Sequence, residues 1–287
     1  MPSLIDFRRR IRSVKNTQQI TKAMKMVSAA KLRRAQERAV ASRPYARIMQ
    51  RMLSNIAAAA VGNEEVTELP LLQAREEKRI QLIVVSSDTG LAGAFNSNLL
   101  RMAQKFVDDH SGADLRMETI GRKSRDYFRK RKYNVSGEYV GIVEKPKIEQ
   151  AREVAAKMIE AYSKAEVDAV YLAVNEFKSV MAPNLVLKKI LPVELPAEGG
   201  EQIDYIWEQS PKELLSDLLP RYVEMSIYRA MLESLSAYHA ARMTAMDAAS
   251  SNAGDVIQTL TLNMNRVRQA SITREIIEIV SGAAAAV

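Results

Sequence analysis

The sequence contains no cysteine, and its 287 residues include only two histidines, His110 and His239, and one tryptophan. Without cysteine, disulfides, thiol catalysis and thiolate metal sites are excluded. A histidine metal cluster is not expected either, because the two histidines lie far apart in the sequence. We therefore expect no cofactor and no metal.

Long hydrophobic runs and a targeting leader are also missing. No stretch reaches the roughly 18 apolar residues that a membrane span requires. The N-terminus carries charges throughout, instead of the apolar core of a secretory signal. We expect a soluble protein with no removable leader.

Glycine and proline are scarce at both ends of the chain. The first glycine is Gly62, and Pro44 is the only interior breaker before it, so we expect a kink there but not the end of a helix. From Arg221 to Ser281 there is no proline, and Gly254 is the single glycine. A helix of about 60 residues would be roughly 90 Å long, too long to bury against itself. It therefore needs a partner helix.

Apolar residues at both ends recur at alternating steps of three and four, the spacing of a coiled-coil seam. Near the N-terminus they are Leu4, Phe7, Ile11 and Val14, and we expect the seam to resume after a shift around Gln18, with Ile20, Met24 and Val27. Near the C-terminus the same spacing is followed by Met243, Met246, Ser250, Ala253, Ile257, Leu260, Met264 and Val267. The two ends are predicted to pair as an antiparallel coiled coil. The longer C-terminal helix would leave an apolar tip that needs a socket in another protein.

The middle of the chain has a different character. Four runs have the composition of β-strands, and three helical segments lie between them. The strands are predicted at Arg79–Ser86, Asp114–Ile120, Ala169–Glu176 and Leu185–Leu191, and the helices near Asn96–Asp108, Ser124–Lys132 and Ile148–Lys164. This alternation predicts an inserted, mostly parallel, Rossmann-like α/β domain. The predicted segments are a coiled-coil helix (1–61), a linker (62–78), the α/β domain (79–195), a connecting loop (196–210) and a second coiled-coil helix (211–287).

The α/β domain offers little sign of catalysis. Gly90-x-x-Gly93 matches neither the dinucleotide fingerprint nor the phosphate loop, so a tight turn is the better interpretation. Asp88 follows the first strand without a second acid or a metal ligand, which favours a capping or structural role. His239 lies at a heptad-like position and is interpreted as a buried histidine. We expect no catalytic residues.

Positive charge is concentrated in the first 60 residues, which contain fourteen bases and two acids, Asp6 and Glu37. Such a helix attracts nucleic acid, anionic lipid or an acidic protein surface. Acidic protein loops are favoured, because the segment lacks interleaved aromatics. Two alternatives stay open: a coiled coil that binds nucleic acid, and a nucleotide-dependent enzyme built on the central domain.

Three parts of the sequence closely resemble the γ subunit of bacterial F-type ATP synthases: Ile11–Gln36, Gly90–Asn96, and Ala240–Met246 continued by Arg266–Ile276. The resemblance implies a coiled-coil shaft with a Rossmann-like domain at its base. It also implies the central-stalk rotor, which turns inside a ring of three α and three β subunits. Its rotation would couple proton flow through the c-ring to ATP synthesis or hydrolysis.

The resemblance further implies four groups of contact residues. The first group would meet a catch loop of the β subunit and consists of Arg8, Arg9, Arg268 and Gln269. The second group would govern coupling efficiency and consists of Met24, Lys25 and Arg242. The third group would form the tip that turns in a bearing and consists of Ile276, Ile279 and Val280. The fourth group would form the foot that meets the c-ring and the ε subunit, and it consists of Tyr205, Trp207 and Glu208.

The implied partners are the α, β and ε subunits and the c-ring, with no nucleic acid among them. Membrane association would occur through the complex only. The expected location is therefore peripheral, on the cytoplasmic face of the bacterial plasma membrane.

Overall fold

The computed structural model describes residues 3–59, 66, 68–179, 183–194 and 209–285. Two long helices, α1 (Leu4–Ala59) and α5 (Pro211–Ala285), flank five strands and three shorter helices within those ranges. The intervening elements are β1 (Arg79–Val85), α2 (Phe95–Asp109), β2 (Asp114–Ile120), α3 (Arg122–Lys130), β3 (Val135–Tyr139), α4 (Ile148–Ser163), β4 (Ala169–Phe177) and β5 (Pro183–Leu191). The chain divides into two compact units, residues 1–28 with 242–287, and residues 29–241.

Both long helices begin with reciprocal capping. The N–H of Asp6 donates to Ser3 Oγ at 3.2 Å, and the N–H of Ser3 donates to Asp6 Oδ2 at 3.0 Å. The bond from the Ser3 N–H, together with one that Ser3 Oγ donates to Asp6 Oδ2 at 2.8 Å, holds the pKa of Asp6 below its ordinary value. Ser210 and Glu213 repeat the arrangement at the start of α5. Each cap satisfies backbone donors that the first helical turn leaves free. Because α1 contains Pro44 and continues to Ala59, the prediction that this proline does not end the helix is confirmed.

The first unit is an antiparallel helix pair, as predicted. Lys25 Nζ lies 2.5 Å from Asp247 Oδ1, and Thr21 Oγ1 lies 2.7 Å from Ser250 Oγ. Gln18 Nε2 donates to the backbone oxygen of Ser250 at 3.1 Å. As the residue numbers fall along α1, their partners' numbers on α5 rise.

The seam of α1 differs from the prediction after Val14. Steps of three and four continue without a shift, and the side chains at these positions are buried or half-buried. They are Leu4, Phe7, Ile11, Val14, Gln18, Thr21, Lys25 and Ser28. The expected resumption at Ile20, Met24 and Val27 is wrong for Ile20 and Val27, which are 60% and 56% exposed, whereas Met24 is half-buried. The helix keeps its register because polar side chains occupy the seam and bond across it. The seam predicted on α5 is confirmed, since its positions are buried or half-buried.

The second unit contains a five-stranded sheet in the order β3-β2-β1-β4-β5. The first four strands are parallel to one another, and β5 runs antiparallel to β4. The mostly parallel sheet is therefore confirmed. The sequence prediction missed β3, a five-residue edge strand with alternating exposure and a glycine at its centre, Gly137.

Helices cover both faces of the sheet. Ile83 and Val85 point to the face covered by α4 and by residues of both long helices, whereas Leu82 and Val84 point to α2 and α3. This alternation buries β1 on both sides, as expected for a central parallel strand. Buried residues of the predicted linker, such as Leu71, join the first of these cores. The predicted segment borders at 61, 78, 195 and 210 stay predictions.

Candidate functional site

The loop after β1 closes the carboxyl edge of the sheet, where doubly wound proteins usually bind ligands. Asp88 Oδ1 accepts hydrogen bonds from the N–H groups of Arg122 at 3.0 Å and Gly141 at 3.1 Å. Its carboxylate thus lies at the N-terminus of α3, a common anion position. The structural role predicted for Asp88 is confirmed. Leu91 and Gly93 have φ angles of 63° and 54°, which agrees with the predicted tight turn.

Tyr238 of α5 packs against the same loop. Its hydroxyl shares a 2.5 Å hydrogen bond with Thr89 Oγ1 and donates to the backbone oxygen of Gly90 at 3.2 Å. Its ring packs edge-on against Phe95, with centroids 5.6 Å apart. The neighbouring His239 is buried, as predicted. Protein side chains therefore occupy the place where a nucleotide would lie in a Rossmann-type enzyme.

The residues predicted to govern coupling all lie in the first unit. Lys25 is part of the seam and pairs with Asp247, with side-chain exposures of 41% and 60%. An ion pair so exposed contributes about 0–1 kcal/mol. Met24 and Arg242 are half-buried on their own helices.

Sequence reasoning missed the polar contacts of the seam beside this pair. Thr21 and Gln18 both contact Ser250, and a Cβ atom at Gly254 would lie 3.2 Å from Gln18 Nε2. Gly254 therefore leaves room for the glutamine side chain. The steps of three and four that continue from Val14 to Ser28 could have identified this seam, but the residues that follow Val14 at those positions are polar and were therefore overlooked.

The predicted catch residues are exposed on the two helices. Continuing the register of Thr21 and Ser250 along both seams places Leu4 opposite Val267. Arg268 therefore lies level with the first turn of α1, and Arg8 and Arg9 follow about one turn later. In the described part of the chain, no hydrogen bond or ion pair joins these side chains to one another.

The residues of the predicted tip follow Val267 in α5 and therefore lie past the N-terminal end of α1. Ile276, Ile279 and Val280 are 55%, 71% and 62% exposed on the last turns of α5. The predicted foot residues, Tyr205, Trp207 and Glu208, lie outside the described residues.

Most of the basic side chains on α1 form no ion pair with an acid in the described chain. Of its fourteen bases, only Lys25, Lys31 and Arg33 form ion pairs within the described ranges. Such a helix presents a strongly basic surface to its surroundings.

The sequence model of a family described as ATP synthase matches residues 3–286. The ATP synthase gamma chain of Solibacter usitatus is 60% identical over 286 residues and covers all of both chains. The chain belongs to the ATP synthase gamma-chain family. Another relative, the gamma chain of Pelotomaculum thermopropionicum, is 50% identical over 287 residues, covering 99% of each chain. The resemblance inferred from the terminal motifs is therefore confirmed.

Solved structures share the fold of this gamma-chain family member. The rotor of the Euglena gracilis mitochondrial ATP synthase matches with a TM-score of 0.64 at 16% identity, covering 94% of this chain and 98% of that one. The central stalk and c-ring structure from Tetrahymena thermophila gives a TM-score of 0.62 at 22% identity, covering 80% and 99%. The predicted fold class is confirmed. None of the helices within the described ranges has the length and apolar character to cross a membrane.

Proposed function

We propose that this chain is the central-stalk rotor subunit of a proton-translocating F-type ATP synthase. It turns within a ring of three α and three β subunits and couples proton flow through the c-ring to ATP synthesis or hydrolysis. The observation that carries the proposal is the antiparallel pairing of the chain's two ends, fixed by the contacts of Thr21 and Lys25 with α5. Family membership identifies the assembly to which such a coiled coil belongs.

In this role the chain makes and breaks no bond. A ligand shifts a two-state equilibrium only through different contacts with the two states. The helix pair has unlike faces, because α1 is basic while residues such as Ile20 and Val27 expose an apolar stripe. Each β subunit therefore meets a different surface as the shaft turns, and a different conformation is favoured at each catalytic site. The chain is accordingly a non-catalytic subunit.

The contact residues keep the roles that the resemblance implies. The catch group meets a loop of the β subunit, and the coupling group around Lys25 governs coupling efficiency. The apolar tip, with Ile276 and Ile279, turns in a bearing formed by the ring. Tyr205 and Trp207 belong to the foot that meets the c-ring and the ε subunit. The complex keeps the chain on the cytoplasmic face of the bacterial plasma membrane.

The catch assignment is tested by Arg268→Ala combined with Gln269→Ala. Because both side chains are exposed, the fold should not change. The affinity of assembly should weaken about tenfold, which corresponds to a loss of roughly 1.4 kcal/mol of contact energy, or the assembled complex should lose torque. The measurements are subunit recovery and ATP synthesis by the assembled complex, with far-UV circular dichroism of the isolated chain. Arg274→Ala with Thr273→Ala, also exposed, is the control. An unaltered rate from a complex with both catch changes would show that the assignment is wrong.

The whole proposal is tested by co-purification from membranes. An affinity-tagged chain should bring down the α, β and ε subunits. The basic α1 helix also suits a nucleic-acid-binding coiled coil, which would instead retard duplex DNA with a steep dependence on salt. A nucleotide-dependent enzyme would bind ATP as an isolated chain in calorimetry. Recovery without the other subunits, or either binding signal, would overturn the rotor assignment.

A further inference from the structure

Three helices of the second unit enclose a surface cavity of about 840 Å³, within the size range of ligand sites. Its walls are α1 around residues 38–45, the first turns of α4, and α5 at residues 221–228. Half-buried Met225 and Tyr228 contribute to its apolar floor. We name this cavity the arginine groove, because Arg38, Arg152 and Arg221 line it.

The arginines leave the groove with unbalanced positive charge. Arg152 Nε lies 3.3 Å from Glu224 Oε2, so one arginine is paired with the single acid among the described residues that line the cavity. Arg38 and Arg221 are exposed and form no ion pair with any acid in the described ranges. Two guanidinium groups therefore remain available at the rim. Guanidinium groups bind carboxylates with two parallel hydrogen bonds.

The rest of the lining resembles the centre of a protein interface. Tyr45 is 49% exposed beside the groove. Tyrosine, arginine and methionine are the residue types enriched where binding energy concentrates. Catalysis is a poor explanation for this set, because the one carboxylate among its described residues, that of Glu224, is already paired with an arginine.

We propose that the arginine groove binds an acidic amphipathic segment of another subunit in the same assembly. An apolar side chain of that segment packs on Met225 and Tyr228, and its carboxylates pair with Arg38 and Arg221. The choice of a protein partner follows from the combination of apolar floor and arginine rim, since a free phosphate would use only the rim. The inference rests on the proposed function, which supplies the assembly.

A photo-crosslink tests this proposal in the intact complex. Ser42 lines the groove, and the chain has no natural cysteine, so the isolated Ser42→Cys chain accepts a benzophenone maleimide at that position alone before it is assembled into the complex. Val40→Cys is the matched control, because Val40 is 53% exposed on the same helix and does not line the groove. Crosslinked peptides are identified by mass spectrometry. We expect one subunit peptide rich in aspartate or glutamate from position 42, and not from position 40.

Charge reversal then tests the chemistry. Arg38→Glu with Arg221→Glu should lower the crosslink yield about tenfold, a modest effect for an electrostatically steered contact. Arg47→Glu, an exposed change on α1 outside the groove, should leave the yield unaltered. Crosslinks to lipid or nucleotide only, the same products from position 40, or a yield insensitive to the reversal would overturn the proposal. If the α and β subunits are absent from the preparation, the proposed function fails; if they are present without the crosslink, only the groove assignment fails.

Discussion

The strongest single test of the second unit concerns Glu118 of β2, which is fully buried. Its Oε1 accepts hydrogen bonds from Lys157 Nζ at 2.5 Å, Ser136 Oγ at 2.9 Å and Gln81 Nε2 at 3.3 Å. Lys157, on α4, is the one cation that pairs with it among the described residues. We predict that Lys157→Met destabilises the protein, because it leaves a buried carboxylate without its counter-charge.

The structure sets the size of the effect. Breaking a buried ion pair typically costs about 3–5 kcal/mol. Two features reduce that figure here. The Lys157 side chain is 44% exposed, so water already screens part of the attraction. Ser136 and Gln81 also remain as neutral donors. We therefore expect the free energy of unfolding to fall by about 2–3 kcal/mol.

Urea unfolding followed by far-UV circular dichroism measures the loss, and hydrogen exchange in α4 and β2 locates it. Lys164→Met is the control, because its pair with Glu160 is exposed on both sides and should contribute little to stability. Combining Lys157→Met with Glu118→Met should recover most of the stability, since apolar side chains can replace a buried pair. If Lys157→Met costs no more than Lys164→Met, the buried carboxylate does not depend on this lysine and the reasoning is wrong.

Two further predictions concern the same unit. A Cβ atom at Gly137 would lie 1.6 Å from Glu118 Oε2, so Gly137→Ala should lower the free energy of unfolding in urea by about 2–3 kcal/mol. Adding Glu118→Ala to the same chain should relieve the steric clash. An unchanged urea midpoint for Gly137→Ala alone would contradict this prediction. Arg79 donates hydrogen bonds to buried Asp168 and holds the pKa of that carboxyl below its ordinary 3.8. Because this pKa is lowered on folding, the stabilisation is present above pH 4 and is lost as the pH falls below it. Unfolding midpoints between pH 5 and pH 2 should therefore fall more steeply for the natural chain than for Asp168→Asn, and parallel slopes would rule out this role for the pair.

The coiled coil was largely predictable because apolar residues fill most of its seam. The prediction went wrong where composition and spacing disagreed. Between Gln18 and Ser28 the seam is polar, whereas Ile20 and Val27 face outward. A prediction based on hydrophobicity alone therefore assigned these exposed residues to the seam. Only the partner helix, with Ser250 in bonding reach of Thr21, shows why a polar seam is stable there.

The α/β domain was predicted in its central strands and missed at its edge. Apolar runs identify β1 and β4, which are buried on both faces, but β3 alternates and contains Gly137. That glycine is explained by Glu118 on the neighbouring strand, a contact that sequence spacing does not reveal. The arginine groove was missed for a similar reason, because Arg38 and Arg221 are far apart in the chain. The catch, coupling, tip and foot roles stay predictions, because they concern contacts with other subunits.

Side chains of the protein itself occupy the carboxyl edge of the sheet, and this bears on how the α/β domain responds to nucleotides. Asp88 occupies the anion position, and Tyr238 seals the crevice with its bonds to Thr89 and Gly90. A nucleotide could enter this edge only by displacing these side-chain contacts. We therefore expect the central α/β domain to bind no nucleotide, although nucleotide is the substrate of the ATP synthase to which this chain belongs.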